Sequence, residues 1–243
     1  MCTVSILPAP EPGGGYDLWF NRDERRTRAP EFAPMASTTA AGMDYVSPRD
    51  GARGGTWLAL NRAGLTVVLL NDYETDGGAA GQMSRGGVPL AGMDASDVEE
   101  ALRAIQEWVD GLGAVNFGPF LTVAVDSLVR SAGLRWNGRE WCDWGGVGFA
   151  TSSSYAPSRT REGREATYTK SAQAGLTWQA LEEFHWRHDS ARGAESVRMS
   201  RADACTRSVC RVRVRAGEGP KLVYRVVDWS RADGYGTVAE VGW

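Results

Sequence analysis

The chain has 243 residues, of which 27 are basic and 30 acidic, so its formal net charge is −3. This near balance argues against a nucleic-acid-binding protein, which usually presents a strongly basic face. Hydrophobic residues make up 42% of the chain, which is enough for a sizeable core and too many for a disordered protein. The longest uninterrupted apolar stretch, Val67–Leu70, is far shorter than the ~20 residues that span a bilayer.

Targeting and metal-binding signals are weak in this sequence. The N-terminal segment has no basic region and its apolar run is interrupted by prolines, so a secretory signal is not expected. The cysteines form no Cys-x-x-Cys pair and there are two histidines, which argues against a zinc site and against a disulfide framework. We therefore expect a cytoplasmic protein without a bound metal ion.

The first third of the chain predicts two β-hairpins. Cys2–Leu7 and Tyr16–Asn21 are β-rich runs on either side of the turn cluster Pro8–Gly15. A polar, arginine-rich loop is predicted from there to about residue 50. Thr56–Leu60 and Leu65–Asn71 then form the second predicted hairpin.

Helices are predicted only beyond this point. The glycine-rich segment Glu74–Gly92 is interpreted as a loop that could cover a site. Ser96 and Glu99 form a capping box ahead of an amphipathic helix at Asp97–Asp110. The remaining predicted elements are a strand at Phe120–Val125, a hairpin of Leu134–Trp136 with Glu140–Trp144, one or two helices within Glu162–His188, and a hairpin of Val209–Val214 with Leu222–Val227. Hairpins separated by helical blocks favour an α+β fold, here as a single domain over residues 1–243.

Cys2 is the most informative residue for function. A methionine before so small a residue is normally removed, so we expect the mature chain to begin with Cys2. Its thiol and α-amine would then form a compact catalytic unit, because an amine with a pKa of about 7.7–8.0 is partly free base at neutral pH and can accept the thiol proton. The alternative is an ordinary cysteine at a frayed chain end.

Polar residues at the ends of the predicted strands could complete such a site. If the first two strands pair, Arg22 and Asp23 lie close to Cys2, where the arginine would favour the thiolate and the aspartate could hold the amine. Asn71 ends the second hairpin and could donate a hydrogen bond to a developing oxyanion. The alternatives are a solvated charged turn for the first pair and a turn-forming role for Asn71.

Four segments of the chain together resemble one known family. They are Met1-Cys2, Asn21-Arg22-Asp23-Glu24, Gly54-Gly55-Thr56-Trp57 and Leu70-Asn71-Asp72-Tyr73. The combination resembles the NRDE family, also called the transport and Golgi organisation protein 2 family. The strand start Thr206-Arg207-Ser208 also looks like the family's pattern, so the resemblance covers most of the chain.

This resemblance implies a fold and a set of roles. The implied fold is the N-terminal-nucleophile hydrolase fold, a four-layer αββα sandwich, and the implied chemistry is that of choloylglycine and penicillin V acylases. By that similarity Cys2 would be nucleophile and base, Arg22 the thiolate partner, Asp23 the amine partner and Asn71 the oxyanion donor. Some members of the family are linked instead to haem or lipid handling.

A second group of residues is expected to bind substrate. Trp57 lies beside the expected site and could form the wall of an apolar pocket, while Tyr73 and Arg207 belong to the family motifs. Where members commonly show Ser-Asn, this chain reads Ala150-Thr151-Ser152-Ser153. The Ser152 hydroxyl can donate a hydrogen bond but lacks the reach of an amide.

Three functions remain open at this stage. The leading one is a cofactor-free cysteine hydrolase of a carbon–nitrogen amide bond in a small acylated molecule. The second is a haem- or lipid-binding and trafficking protein that uses the same pocket, and the third is a scaffold. His185 and His188 could ligate haem iron, but their helical segment favours a solvated helix end. Selective alkylation of Cys2 by iodoacetamide would separate the first reading from the second.

Overall fold

A computed structural model describes residues 2–10, 14–75 and 83–243. In this part of the chain the strands pair antiparallel and form two sheets. In chain order they are β1 (Cys2–Pro8), β2 (Gly15–Arg25), β3 (Phe32–Thr38), β4 (Asp44–Arg49), β5 (Leu58–Asn61), β6 (Thr66–Asn71), β7 (Phe120–Val125), β8 (Ser131–Trp136), β9 (Trp141–Trp144), β10 (Phe149–Ser152), β11 (Ala204–Arg215), β12 (Lys221–Val227) and β13 (Tyr235–Gly242).

The described α-helices flank these sheets. They are α1 (Val88–Ala91), α2 (Val98–Gly111), α3 (Pro157–Gln173) and α4 (Trp178–Trp186), with short 3₁₀ turns at Arg85–Gly87, Ala114–Asn116 and Ser190–Glu195. No helix within the described ranges combines the length and the apolar character needed to cross a membrane.

The two sheets pack face to face, and helices cover their outer faces. The first sheet has the order β10-β1-β2-β11-β12-β13 and the second has the order β3-β4-β5-β6-β7-β8-β9. Inward side chains such as Val4, Phe20 and Val68 form the core between them. Helices α1 and α2 pack on the second sheet, and α3 and α4 on the first. The predicted α+β fold with four αββα layers is thereby confirmed.

The alternation of side chains along β1 decides what faces the core. Cys2, Val4 and Ile6 point between the sheets, whereas Thr3 and Ser5 point toward the helices, where they contact polar side chains of α3 and α4. Successive side chains of a strand face opposite sides, so the register of β1 places Cys2 on the inner face.

Most of the predicted elements are present. The four predicted hairpins correspond to the pairs β1–β2, β5–β6, β8–β9 and β11–β12. The strand predicted at Phe120–Val125 is β7, and the one or two helices predicted within Glu162–His188 are α3 and α4. The pattern is strongest in β7, where every residue is buried.

The loop predicted up to about residue 50 is wrong, because this segment forms β3 and β4. Strand β3 lies at a sheet edge, most of its residues are exposed, and it contains Pro34. An edge strand tolerates proline and needs no regular apolar alternation, so the usual strand signal is missing. The sequence likewise gave no prediction for the edge strands β10 and β13.

The cap of α2 differs from the prediction by one residue. Asp97, not Ser96, is the N-cap: its Oδ1 accepts a hydrogen bond from the Glu100 N–H at 2.9 Å. The Glu100 carboxylate in turn accepts from the Ser96 N–H at 3.2 Å. Serine and aspartate are both good N-cap residues, so the sequence alone does not separate the two positions.

Part of the predicted lid lies outside the described residues. The predicted loop Glu74–Gly92 includes residues 76–82, which are not described, and its described remainder contains the turn at Arg85–Gly87 and α1. Residues 11–13 of the first turn and Met1 are also outside the described residues.

Candidate functional site

Cys2 lies at the start of β1, which is paired on both sides, and faces a cavity. Its Cα is in register with that of Arg22 on β2 and that of Ser152 on β10. The side chain is 7% exposed and lines a cavity of about 450 Å³. The same cavity is lined by Arg22, Asp23, Trp57, Asn71 and Tyr73. The structure therefore brings together the four candidate catalytic residues and two of the candidate substrate-binding residues.

The thiol of Cys2 is in an environment that keeps it protonated at rest. Burial raises the pKa of the Cys2 thiol, and the positive charge of Arg22 opposes this effect without cancelling it. A buried thiol of this kind needs a base close by before it can act as a nucleophile.

Arg22 is held firmly by carboxylates. Its Nη2 donates to Asp50 Oδ2 at 2.7 Å and its Nη1 to Glu31 Oε2 at 3.3 Å. The guanidinium also lies 4.2 Å from the centre of the Trp57 ring, a cation–π contact. Burial alone would raise the pKa of Asp50, but the hydrogen bonds and charge of Arg28, the Arg53 N–H and the charge of Arg22 together lower it. The position of the Arg22 charge beside Cys2 is therefore fixed from several sides.

Asp23 turns its side chain away from Arg22, toward the helix layer. Its Oδ2 accepts from Arg164 Nη2 at 3.0 Å, and its Oδ1 from Thr206 Oγ1 at 2.6 Å. Both members of the Asp23–Arg164 ion pair are fully buried. Arg164 also donates to Thr3 Oγ1 on β1 at 2.8 Å. Arg164 thus anchors α3 to β2 through Asp23 and to β1, the strand that carries Cys2, through Thr3.

Sequence reasoning missed Arg164 for a physical reason. Helix α3 has no apolar stripe, and the residues it buries are Thr160, Arg164 and Thr167. In a charge-rich helix this polar stripe cannot be distinguished from a solvated face. Their spacing of four and three residues was the one signal available.

Asn71 and Tyr73 form a pair at the end of β6. Asn71 Nδ2 donates to the Tyr73 hydroxyl at 3.1 Å, so the amide points its donor into the cavity. Ser152, opposite Cys2 in the sheet, has a buried hydroxyl without a hydrogen-bond partner among the described residues. Ser152, Asn71 and Tyr73 also share a small cavity of about 30 Å³ next to the main one.

Arg207 is not brought to the main cavity. It lines a second cavity of about 350 Å³ together with Cys205, Tyr224 and Trp229. Its Nε lies 3.1 Å from the carboxylate of Glu31, the residue that also pairs with Arg22. Arg207 is linked to the Cys2 site through that shared carboxylate and through a hydrogen bond from its Nη1 to the carbonyl of Arg28, a residue of the main cavity, at 3.3 Å.

His185 is buried, which corrects the expectation of a solvated helix end. Its Nδ1 lies 2.6 Å from Asn21 Oδ1 and its Nε2 lies 2.6 Å from Ser5 Oγ. Because Asn21 Nδ2 already donates to the backbone oxygens of His185 and Val197, its Oδ1 must accept from Nδ1–H. Burial lowers the pKa of His185 to about 3. With both ring nitrogens in use, this histidine is a structural residue.

Metal-binding and disulfide features are absent from the described ranges. No group of three or more His, Cys, Asp or Glu side chains there is arranged to hold a metal ion. The four cysteines all fall within these ranges and are free thiols.

Solved structures with the same fold include proteins named as a hydrolase, an acylase and an amidase. A mutant of the conjugated bile acid hydrolase from Clostridium perfringens is 11% identical, with a TM-score of 0.56 over 100% of this chain and 92% of that chain. Penicillin V acylase from Agrobacterium tumefaciens is 13% identical, with a TM-score of 0.53 over 98% and 90%. The Caenorhabditis elegans orthologue of N-acylethanolamine-hydrolyzing acid amidase is 10% identical, with a TM-score of 0.55 over 87% and 92%. At these identities the likeness shows the N-terminal-nucleophile hydrolase fold.

Sequence comparison gives the family. No curated protein matches the chain. The family model described as Transport and Golgi organisation 2 matches residues 1–140, which is more than half of the chain and includes Cys2, the Asn21–Glu24 tetrad and Asn71. With the sequence motifs and the fold in agreement, the chain belongs to the Transport and Golgi organisation 2 family.

Proposed function

We propose that this protein is an N-terminal cysteine hydrolase that cleaves a carbon–nitrogen amide bond of a small acylated molecule. The observation that carries the proposal is the position of Cys2, which lies at the start of β1 and opens into a cavity of about 450 Å³ shared with Arg22 and Asn71. A nucleophile, a fixed cation and an amide donor around one cavity fit acyl transfer. The neighbours named above as hydrolases, acylase and amidase support this class of reaction.

The proposed base is the α-amine of Cys2, which requires removal of Met1. Burial keeps the Cys2 thiol protonated, so a proton acceptor must take its proton during attack. His185 cannot serve, because both of its ring nitrogens are hydrogen-bonded on the other side of the sheet. The amine on the same residue can reach the thiol directly or through one water molecule. Intact-mass measurement of the purified protein should therefore show a chain that lacks Met1.

The proposed reaction has two halves. In the first, the α-amine takes the thiol proton, the sulfur attacks the amide carbonyl, and Asn71 Nδ2 donates to the oxyanion. The tetrahedral species collapses to a thioester as the C–N bond breaks, and the ammonium returns its proton to the leaving amine. In the second half, water attacks the thioester with the amine again as base, which releases the acid and restores the thiol. The unpartnered Ser152 hydroxyl is the second candidate donor to the oxyanion.

Replacement of Cys2 tests the proposal. On a panel of short acyl amides, Cys2→Ala should abolish turnover and leave thermal unfolding close to wild type. Cys2→Ser should retain little activity, because a hydroxyl ionises far less readily than a thiol. Cys142→Ala is the matched control, since this half-buried thiol lies outside the cavity and should be dispensable.

A carrier of haem or acylated lipid is the outcome that would contradict hydrolysis. In that case the wild type would turn over no amide on the panel, and the wild type and Cys2→Ala would bind haem or an acyl lipid equally well. Iodoacetamide followed by mass spectrometry gives a second measurement. Burial raises the pKa values of Cys2, Cys205 and Cys210 alike, but a catalytic Cys2 has its own amine as base and opens into the main cavity, so it should be alkylated faster than the other two. A cytoplasmic location remains part of this proposal.

A further inference from the structure

The acidic residues that line the main cavity are all paired with arginines, but not all of the arginines that line it are paired with acidic residues. Each carboxylate in its wall already lies within 4 Å of a guanidinium, and two of these guanidinium groups belong to residues outside the wall. The pairs are Asp23–Arg164 at 3.0 Å, Glu24–Arg28 at 3.9 Å, Asp50–Arg22 at 2.7 Å and Asp72–Arg135 at 2.7 Å. The negative charge of the wall is therefore neutralised before its remaining arginines are considered.

Two arginines of the wall, Arg53 and Arg85, have no ion pair within the described residues. Arg53 is exposed at the rim. Arg85 is half-buried, and one of its nitrogens donates to the Pro119 carbonyl at 2.8 Å. That contact fixes the side chain and leaves its other donors directed at neither a carboxylate nor a carbonyl of the described chain.

The surroundings of Arg85 make an unmatched cation costly. Burial lowers the pKa of the Arg85 guanidinium, while the nearby Tyr73 and Cys2 act in the opposite direction. Tyr73 and Cys2 carry a negative charge only when deprotonated, and the Glu24 carboxylate, which acts in the same direction, already lies 3.9 Å from Arg28. A partly desolvated guanidinium that faces a cavity is stabilised when an anion enters, and its planar fork matches carboxylate and phosphate oxygens.

We propose that Arg85 binds an anionic group of the ligand, so that the substrate of the Cys2 site is an amide that carries a carboxylate or a phosphate. That the ligand is a substrate rests on the proposed function. The anion site itself does not depend on it. Arg53 adds a positive charge at the rim, which attracts the same ligands without a fixed contact.

Binding to a Cys2→Ala protein tests the anion site without turnover. The probes are 6-acetamidohexanoate, 6-acetamidohexyl phosphate and the neutral 6-acetamidohexanamide, with the four-carbon acetamidobutanoate and its amide as a second spacing. Calorimetry should show that at least one anionic probe binds roughly 10- to 100-fold more tightly than its neutral amide. Whichever anion is preferred identifies the group that Arg85 receives.

Variants of Arg85 decide whether this residue is responsible. In the Cys2→Ala background, Arg85→Gln should bring the ratio of anionic to neutral affinity close to one, and Arg85→Lys should retain most of the preference. Arg103→Gln is the matched control, because Arg103 is an exposed arginine of α2 outside the cavity. If Arg85→Gln does not fold, the ratios of anionic to neutral affinity measured in Cys2→Ala protein with Arg85 intact and with Arg85→Lys still decide the question.

The inference would be overturned by a ratio of anionic to neutral affinity near one for every probe in the Cys2→Ala protein, by a ratio that survives Arg85→Gln, or by an equal loss with Arg103→Gln. A different role for Arg85 would be to stabilise the Cys2 thiolate alone. Arg85→Gln in otherwise wild-type protein would then slow alkylation of Cys2 and lower turnover of charged and neutral amides equally. That result would also contradict an anion site. Turnover of neutral amides with no anion preference would leave the hydrolase standing and remove the anion site. The reverse result, anion binding without any turnover, would do the opposite.

Discussion

Asn71 is the residue on which stabilisation of the proposed oxyanion depends. Its Nδ2 is directed to the cavity side of β6, where the Tyr73 hydroxyl accepts its hydrogen bond at 3.1 Å. A carbonyl oxygen that becomes negative in the transition state is a better acceptor than a phenol, so the donor can be transferred to it as charge develops.

Asn71→Ala should therefore lower kcat by about 10²–10³ with a small change in KM. Tyr73→Phe is its matched partner, because it removes the acceptor at 3.1 Å and leaves the Asn71 donor in place. We expect less than about a tenfold loss with Tyr73→Phe. Steady-state kinetics on one amide measures both variants. Equal losses in the two variants would mean that Asn71 serves only to position Tyr73.

At this scale the sequence was informative where chemistry and position coincide. Cys2 and Asn71 could be named because a thiol and an amide stand at the ends of predicted strands, and Arg22 because it belongs to the Asn21–Glu24 tetrad. Glu31, Asp50, Arg85 and Arg164 could not, because each is one of many charged residues and its role follows from contacts between segments far apart in the chain. The partners of Arg22, for example, come from 9 and 28 residues further along.

Among the elements, the contact between β5 and the turn at Arg85–Gly87 deserves a test. The Thr56 N–H donates to the Gly86 carbonyl at 2.8 Å, and a Cβ placed on Gly86 would lie 2.7 Å from Gly55 Cα. Two backbones can approach this closely only where both residues lack side chains. The approach brings Trp57 and Arg85 to the same wall of the cavity.

Gly86→Ala should force the two segments apart and reduce the free energy of unfolding by about 1–3 kcal/mol. Gly111→Ala is the control: nothing lies within 4 Å of a Cβ at that position, at the end of α2. The control should be neutral or more stable by up to about 1 kcal/mol, because alanine favours a helix. Urea unfolding measures both, and a Gly86→Ala protein as stable as the control would show that the turn moves freely.

Across the whole molecule, the buried His185 makes stability depend on pH. Its folded-state pKa is about 3, below the ordinary value of 6.5, because burial opposes the charged form. Between these two values the unfolded chain binds a proton that the native state does not. The contribution of His185 to stability is therefore complete above about pH 6.5 and is lost as the pH falls toward about 3.

This single group should lower the free energy of unfolding by about 2 kcal/mol between pH 7 and pH 5. Urea unfolding at a series of pH values measures the slope. His185→Gln should flatten it over this range, whereas His188→Gln, at an exposed position two residues beyond α4, should leave it unchanged. Parallel pH profiles for wild type and His185→Gln would contradict a buried neutral histidine.

The fold as a whole was more predictable than its details. Strands buried on both faces, such as β7, and hairpins with strong turn residues, such as β8–β9, have signals within a few residues. Edge strands such as β3 and β13 do not, because partners on one side only impose little pattern on the sequence. The four-layer arrangement followed from the resemblance, since local patterns cannot state which sheet a strand joins.

The polar side chains between the first sheet and its helices have a consequence for anyone who rebuilds this scaffold. Among the residues of the helices, Ser5 meets His185 and Thr3 meets Arg164, and those partners also hold Asn21 and Asp23 of the next strand. A slip of β1 by one residue would exchange its two faces, sending Cys2 to the helices and leaving these partners unmatched. An apolar helix pair in the same place could match the present one in stability, but it would accept either face of the strand. The helices on the far side of the sheet therefore fix the register of β1 and with it the face on which the nucleophile lies.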